Sequence, residues 1–413
     1  MKIVDEIIGK FRVIVIPFEN VKTTSCAFVV KSGSADEPDP LAGVSHYLEH
    51  VVFRGTKKYD HFQLKYIVES VGGVLNAFTE RRATVFYIKV PEMNFLNSFD
   101  VLKSLVFEPT IDEESVEIER KVILEEYKMN KDDPVSYLHD LLFENVWIGP
   151  FGRPILGYED TIKSISREEL LEYHDKMYFP GNMIVVLAGK VNGTFMEVVE
   201  KELKSIDKEG EKKDIDFPSF TYPSSVIYEA RNDMEQVHVA LAKPIPGREN
   251  SDYPAIALLN TALGSGMSSL LFHEIREKEG LVYDIYSQVY ALRKTGVLVI
   301  YSSMSPSNLE KFFKKLRRLL SSMQILENFE YGKNRLLGKL EMMTESPGSV
   351  MGFVVDRLVC GLESYDIDSF MEEIKKLDEY DFEKAAKEIL LGNWAVFGLG
   401  PDSARFDFPI LEV

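Results

Sequence analysis

Four segments of this chain recur, in the same order and at nearly one spacing. The strand-like run Ser25–Val30 (SCAFVV) has a counterpart 212 residues on, in Val237–Ala242 (VHVALA). The stretch LAGVSHYLEHVVFRGT from Leu41 pairs with DYPAIALLNTALGSGM from Asp252, at an offset of 211. TVFYIKV at Thr84 pairs with GVLVIYS at Gly296, and GNMIVVLAG (Gly181–Gly189) with GNWAVFGLG (Gly392–Gly400), at offsets of 212 and 211. A chain with this period is one unit of roughly 200 residues, built twice. Between the copies lies Asp207–Asp216 (DKEGEKKDID), charged and nearly free of large apolar residues. It reads as a linker. The expected organisation is a first domain over 1–206, a linker over 207–220 and a homologous second domain over 221–413.

In the first unit, hydrophobic periodicity predicts strands at Arg12–Pro17, Ser25–Lys31, Val74–Thr79, Thr84–Val90 and Met183–Ala188. It predicts helices over Leu41–Arg54 and Phe62–Val71, and then in succession to Lys176. Strands close in sequence favour antiparallel pairing, and helices grouped in sequence favour one face. The expected class is therefore α+β: two homologous domains, each a mostly antiparallel sheet with helices packed on one face.

Composition narrows the partners. Lys and Arg number 48 against 66 Asp and Glu, a net charge of −18. That balance disfavours nucleic acid and anionic membranes as partners and would suit a basic substrate, but solubility alone explains it and is the preferred reading. Two cysteines, Cys26 and Cys360, are too few for a disulfide framework or an all-cysteine zinc site. Both sit in apolar runs and read as buried thiols. No window approaches a membrane span, and MKIVDEIIGKF has no secretory pattern, so a cytoplasmic location is expected.

The chemistry is concentrated in His46-Tyr47-Leu48-Glu49-His50. Residues i and i+4 on a helix share a face, so two imidazoles one turn apart can ligate one Zn²⁺. Glu49 lies close to that face but to one side, where a carboxylate can act as general base on a water. This H-x-x-E-H order is the inverzincin pattern. A bland reading is a chance polar cluster, but the chain has seven histidines, and Val44, Leu48, Val51, Val52 and Phe53 mark the helix as largely buried. A third ligand is expected from ERKVILEEYKMNKDDP. Glu119 and Glu126 are seven apart on one helix face and Glu125 is rotated off it. Glu126 can be a ligand and Glu119 a carboxylate supporting a ligand imidazole, but spacing alone does not choose among these acids.

These pieces together resemble the pitrilysin/insulinase family of zinc metallopeptidases. The resemblance spans nearly the whole chain: GVSHYLEHVVFRG from Gly43, GVLNAFT from Gly73, the Glu119/Glu126 pair with its trailing DDP, GRPILG from Gly152, YFPGNM from Tyr178, EQVH from Glu235 and GMSSLLFHEIREKEGLVY from Gly266. It implies His46, His50 and Glu126 as ligands of one zinc per chain, Glu49 as catalytic base and Glu119 as supporting carboxylate. It further implies that Asn76, Ala77 and Phe78 belong to an edge strand that takes a peptide as an added strand. Arg276 and Tyr283 would contact the substrate near the scissile carbonyl from the second domain. Leu270 departs from the family, which usually carries a basic residue there.

At the repeat offset, His46, Glu49 and His50 correspond to Ala257, Asn260 and Thr261, so the second unit lacks the metal motif. The resemblance implies one catalytic and one substrate-clamping unit around an enclosed chamber, cleavage of short or unfolded peptides, and a homodimer. The alternatives are a non-catalytic scaffold or peptide-binding member, a specific processing peptidase, and a two-histidine-one-carboxylate iron enzyme.

Overall fold

The computed structural model describes residues 3–212 and 215–413, and its two sheets follow the repeat. The first holds β1 (Val4–Ile8), β2 (Phe11–Pro17), β3 (Thr23–Val30), β4 (Val74–Thr79), β5 (Thr84–Pro91) and β6 (Met183–Gly189). Their spatial order is β1-β2-β6-β3-β5-β4. The second holds β7 (Ile227–Ala230), β8 (Val237–Pro246), β9 (Asp284–Ala291), β10 (Thr295–Met304), β11 (Asn393–Gly400) and β12 (Ile410–Glu412). It runs β12-β11-β8-β10-β9, with β7 also on β11. Pairing is antiparallel except for β2 with β6 and β7 with β11. The α+β class and the paired architecture are those expected. Among the described residues no helix is long and apolar enough to cross a membrane.

The five strands expected in the first unit are present, with β4 at its expected limits. The additional short strands β1 and β12 lie at sheet edges. The expected Leu41–Arg54 helix is divided. A 3₁₀ turn at Asp39–Leu41 precedes an α-helix over Val44–Val51, the motif helix, and a second 3₁₀ turn follows at Val52–Arg54. The break falls at Gly43, where φ is +94° and a Cβ would stand 2.5 Å from the Leu156 carbonyl oxygen. Only glycine fits that crossing.

The central strands are buried on both faces, which accounts for the unbroken hydrophobic runs of β3 and β6. The first unit packs its motif helix and its Phe95–Phe107 helix on one face, where Phe28, Phe86, Leu48 and Leu102 join one core. The opposite face of each sheet is covered by a helix from the other unit. Pro347–Val359 lies on β3 and β6, and Pro134–Val146 lies on β8 and β11. Val350 and Val354 thus share a core with Ile14, Val29 and Val186, and Leu138 and Leu142 with Ala240, Val299 and Phe397. Both exchanged helices start with proline after a side-chain cap, Asp133 and Ser346.

Candidate metal centre

The motif helix presents His46 and His50 with ring centroids 4.6 Å apart. Opposite stands the long helix Glu113–Asp132, which starts at the Asp112 cap and ends where Asp133-Pro134 opens the next helix. The two helices are tied by the Tyr47 hydroxyl, which donates to the Val116 carbonyl at 2.7 Å. Glu126 Oε2 lies 3.7 Å from His46 Nε2 and 3.4 Å from His50 Nε2. One atom from each of His46, His50 and Glu126 falls within 4.8 Å of the others.

That donor set fits zinc. Tetrahedral ligands at zinc–nitrogen distances stand about 3.3 Å apart, so two of the separations are already near the required edge. The outer nitrogen of His50, Nδ1, is 3.1 Å from Glu119 Oε2, which leaves Nε2 facing the cluster. Glu119 is in turn 3.8 Å from Arg54. The structure also separates the neighbouring acids. Glu125 points to solvent and pairs with Lys128, and Glu117 pairs with Arg120.

Charge is arranged to match. Burial and the adjacent His50 hold the His46 imidazole down at about 4, so it is neutral. Burial opposes charge on His50, but Glu119 and Glu126 outweigh it and raise the imidazole to about 9. A metal bound at Nε2 would displace the proton that these carboxylates favour on His50. The bond with His50 lowers Glu126. Glu49 is raised because it is largely buried, an effect partly offset by the Thr79 hydroxyl.

Beyond the cluster, β4 is the outermost strand of its sheet. Its side chains alternate, with Asn76 and Phe78 outward and Ala77 half-buried against the first core. Arg276 occupies a π-helical turn, Phe272–Glu277, with its guanidinium 4.5 Å over the Phe272 ring. Tyr283 is 71% exposed just before β9. Among the described residues, the groups that gather at the cluster are His46, His50 and Glu126, and neither Arg276 nor Tyr283 is one of them. Leu270, the departure from the family pattern, is buried in the second unit's core.

Two groups that the sequence pattern does not single out support the site. Glu37 is buried and accepts from the backbone N–H of Gly43 at 2.7 Å and Ser45 at 2.8 Å. It thereby caps the motif helix from six residues upstream of Gly43, with Arg153 3.8 Å away. Thr79, last residue of the strand that carries the Asn-Ala-Phe run, donates to Glu49.

Residues 12–159 match the profile described as insulinase (peptidase family M16), and residues 164–336 match the M16 inactive domain. An uncharacterised zinc protease of Streptomyces coelicolor is 30% identical over 95% of this chain and 88% of its own length. One from Bacillus subtilis is 30% identical over 80% of this chain and 81% of its own. The chain belongs to the pitrilysin/insulinase (M16) peptidase family. Its fold matches that of a protease from Helicobacter pylori, with a TM-score of 0.87 at 23% identity over 97% of this chain and 100% of that one. It also matches a Pseudomonas fluorescens protein described as an M16 inactive domain, with a TM-score of 0.85 at 18% identity over 97% and 98% of the two chains.

Proposed function

We propose that this protein is a zinc-dependent endopeptidase that hydrolyses short or unfolded peptides. The observation that carries the reading is the convergence of His46, His50 and Glu126 beside a largely buried carboxylate, Glu49, that is raised in pKa and not engaged in the cluster. A Zn²⁺ held by the three side chains would acidify a water and polarise the scissile carbonyl. Glu49 takes a proton from the attacking water and returns it to the leaving amine nitrogen, which a carboxylate with a raised pKa does well. A peptide pairs with the free edge of β4 beside Asn76, Ala77 and Phe78, so its backbone is fixed by main-chain hydrogen bonds. Glu119 keeps His50 in the tautomer that offers Nε2.

In this reading residues 1–206 are catalytic, 207–220 connect, and 221–413 clamp the substrate, with Arg276 and Tyr283 assigned from the family resemblance alone. The enclosed chamber, the homodimer and the cytoplasmic location belong to the same proposal.

The test is cleavage of a peptide pool of ~10–30 residues, lengths suited to strand addition, by wild type, Glu49→Gln and His50→Ala, with zinc content measured on each. Glu49→Gln should retain zinc and lose turnover; His50→Ala should lose both. Zinc retained by His50→Ala, or near-normal turnover by Glu49→Gln, would show that the roles are misassigned. A wild type that holds zinc and cleaves nothing would move the assignment to a peptide-binding member.

A further inference from the structure

Thr79 closes β4 and is almost fully buried. Its Oγ1–H donates to Glu49 Oε2 at 2.6 Å. Among the described residues it is the one side chain hydrogen-bonded to Glu49, so one carboxylate oxygen is pinned and Oε1 is left for a reacting partner.

The strand that does the pinning is itself fixed to the motif helix by a second route. After Thr79 the chain turns back, with the Glu80 N–H on the Ala83 carbonyl at 2.8 Å. The carbonyls of Glu80 and Arg81 accept from the N–H groups of Ser34 and Ala35 at 3.2 and 2.8 Å. Gly33 sits at that contact, where a Cβ would come within 2.0 Å of the Glu80 oxygen. Four residues on, Glu37 caps the motif helix through Gly43 and Ser45. The edge strand and the motif helix are therefore joined at the helix's start through a loop and near its end through Thr79.

The second unit keeps the same kind of link without the metal motif. Ser287 Oγ, on the edge strand β9, donates to Asn260 Oδ1 at 2.8 Å, and Asn260 holds the repeat position of Glu49. Ser287 stands four residues before the repeat position of Thr79, so the tie recurs in kind but at another point of the strand. In the first unit alone it holds a carboxylate beside two histidines.

We propose that Thr79 is a positioning residue that aims the Glu49 carboxylate in register with the strand on which a peptide is laid. This rests on the endopeptidase reading. Loss of the hydroxyl frees the carboxylate to rotate without disturbing the zinc donors or the outward face of β4.

The experiment compares Thr79→Val and Thr79→Ser with wild type. Valine matches threonine in shape and suits a strand, so the fold should persist. A hydrogen bond to a charged group corresponds to roughly a 10- to 100-fold effect. The valine variant should lose that much in kcat, with KM for a peptide and zinc stoichiometry unchanged, and serine should restore most of it. Wild-type kcat in Thr79→Val overturns the inference. So does a kcat loss matched by zinc loss or a raised KM, or one that serine does not rescue. A crystal structure of Thr79→Val judges the point without activity: the Glu49 carboxylate should leave its position, and an unmoved carboxylate overturns the proposal. If wild type cleaves no peptide, the endopeptidase reading fails on its own and the crystal structure still decides whether Thr79 places Glu49.

Discussion

Glu119 Oε2 lies 3.1 Å from Nδ1 of His50, while Glu126 Oε2 lies 3.4 Å from Nε2 of the same ring. The imidazole is held between two carboxylates with different work to do. Removing the outer one leaves the donor set intact but frees the ring to turn and to change tautomer. Outer carboxylates of this kind affect metal affinity by about 10- to 100-fold. Glu119→Ala is therefore expected to weaken zinc binding by that factor, read by competition with a chelator of known affinity. Unchanged affinity would show that His50 is oriented by the helix alone.

Glu37 makes a pH prediction whose sign is fixed. Burial raises its carboxyl from 4.5 to about 7, against the lowering effect of the Gly43 and Ser45 amides and of Arg153. A group with a raised folded pKa contributes stability that is complete below its unfolded pKa and is lost as pH rises through the folded one. Wild type should therefore lose stability relative to Glu37→Gln between pH 4.5 and about 7, by on the order of 3 kcal/mol. Denaturant unfolding of both proteins across that window measures it. A wild type that gains on the variant as pH rises would mean that the two amides and Arg153 hold the carboxylate charged.

What was legible in the sequence was periodic or local. Alternation over Val74–Thr79 marked β4, and the i, i+4 spacing of His46 and His50 needs no tertiary knowledge. The choice of Glu126 over its neighbours was not available from spacing, because it depends on which face of the long helix meets the motif helix; the Tyr47–Val116 bond settles that in three dimensions. Glu37 carried no signal, since a cap normally sits next to its helix and this one reaches across a turn. The helix exchange was equally silent. Pro134–Val146 is amphipathic wherever it docks, and nothing in its pattern says that the sheet it covers belongs to the other half.

That exchange makes the halves interdependent. Residues 1–206 alone would leave β3 and β6 uncovered on one face, and would expose Leu138, Leu142 and Val146. Residues 221–413 alone would do the same for β8 and β11. Exposed apolar faces of this kind drive aggregation. Each fragment expressed alone is expected to be insoluble or non-native, and the two co-expressed to assemble into a soluble pair. A monomeric fragment with cooperative unfolding would show that its uncovered face tolerates water.

The same packing predicts one unfolding transition for the whole chain. Leu142 is fully buried where the first unit's helix meets the second unit's sheet. Leu142→Ala should cost roughly 2–5 kcal/mol, the range for a buried leucine that leaves a cavity. The two tryptophans report on different places, Trp147 at that junction and Trp394 inside the second unit's core. Trp147→Phe and Trp394→Phe therefore give one-probe versions of the protein. If the exchanged helices couple the units, both probes should show the same midpoint, and Leu142→Ala should shift both by the same amount. Separate midpoints, with Leu142→Ala moving Trp147 alone, would mean that the junction opens before either sheet does.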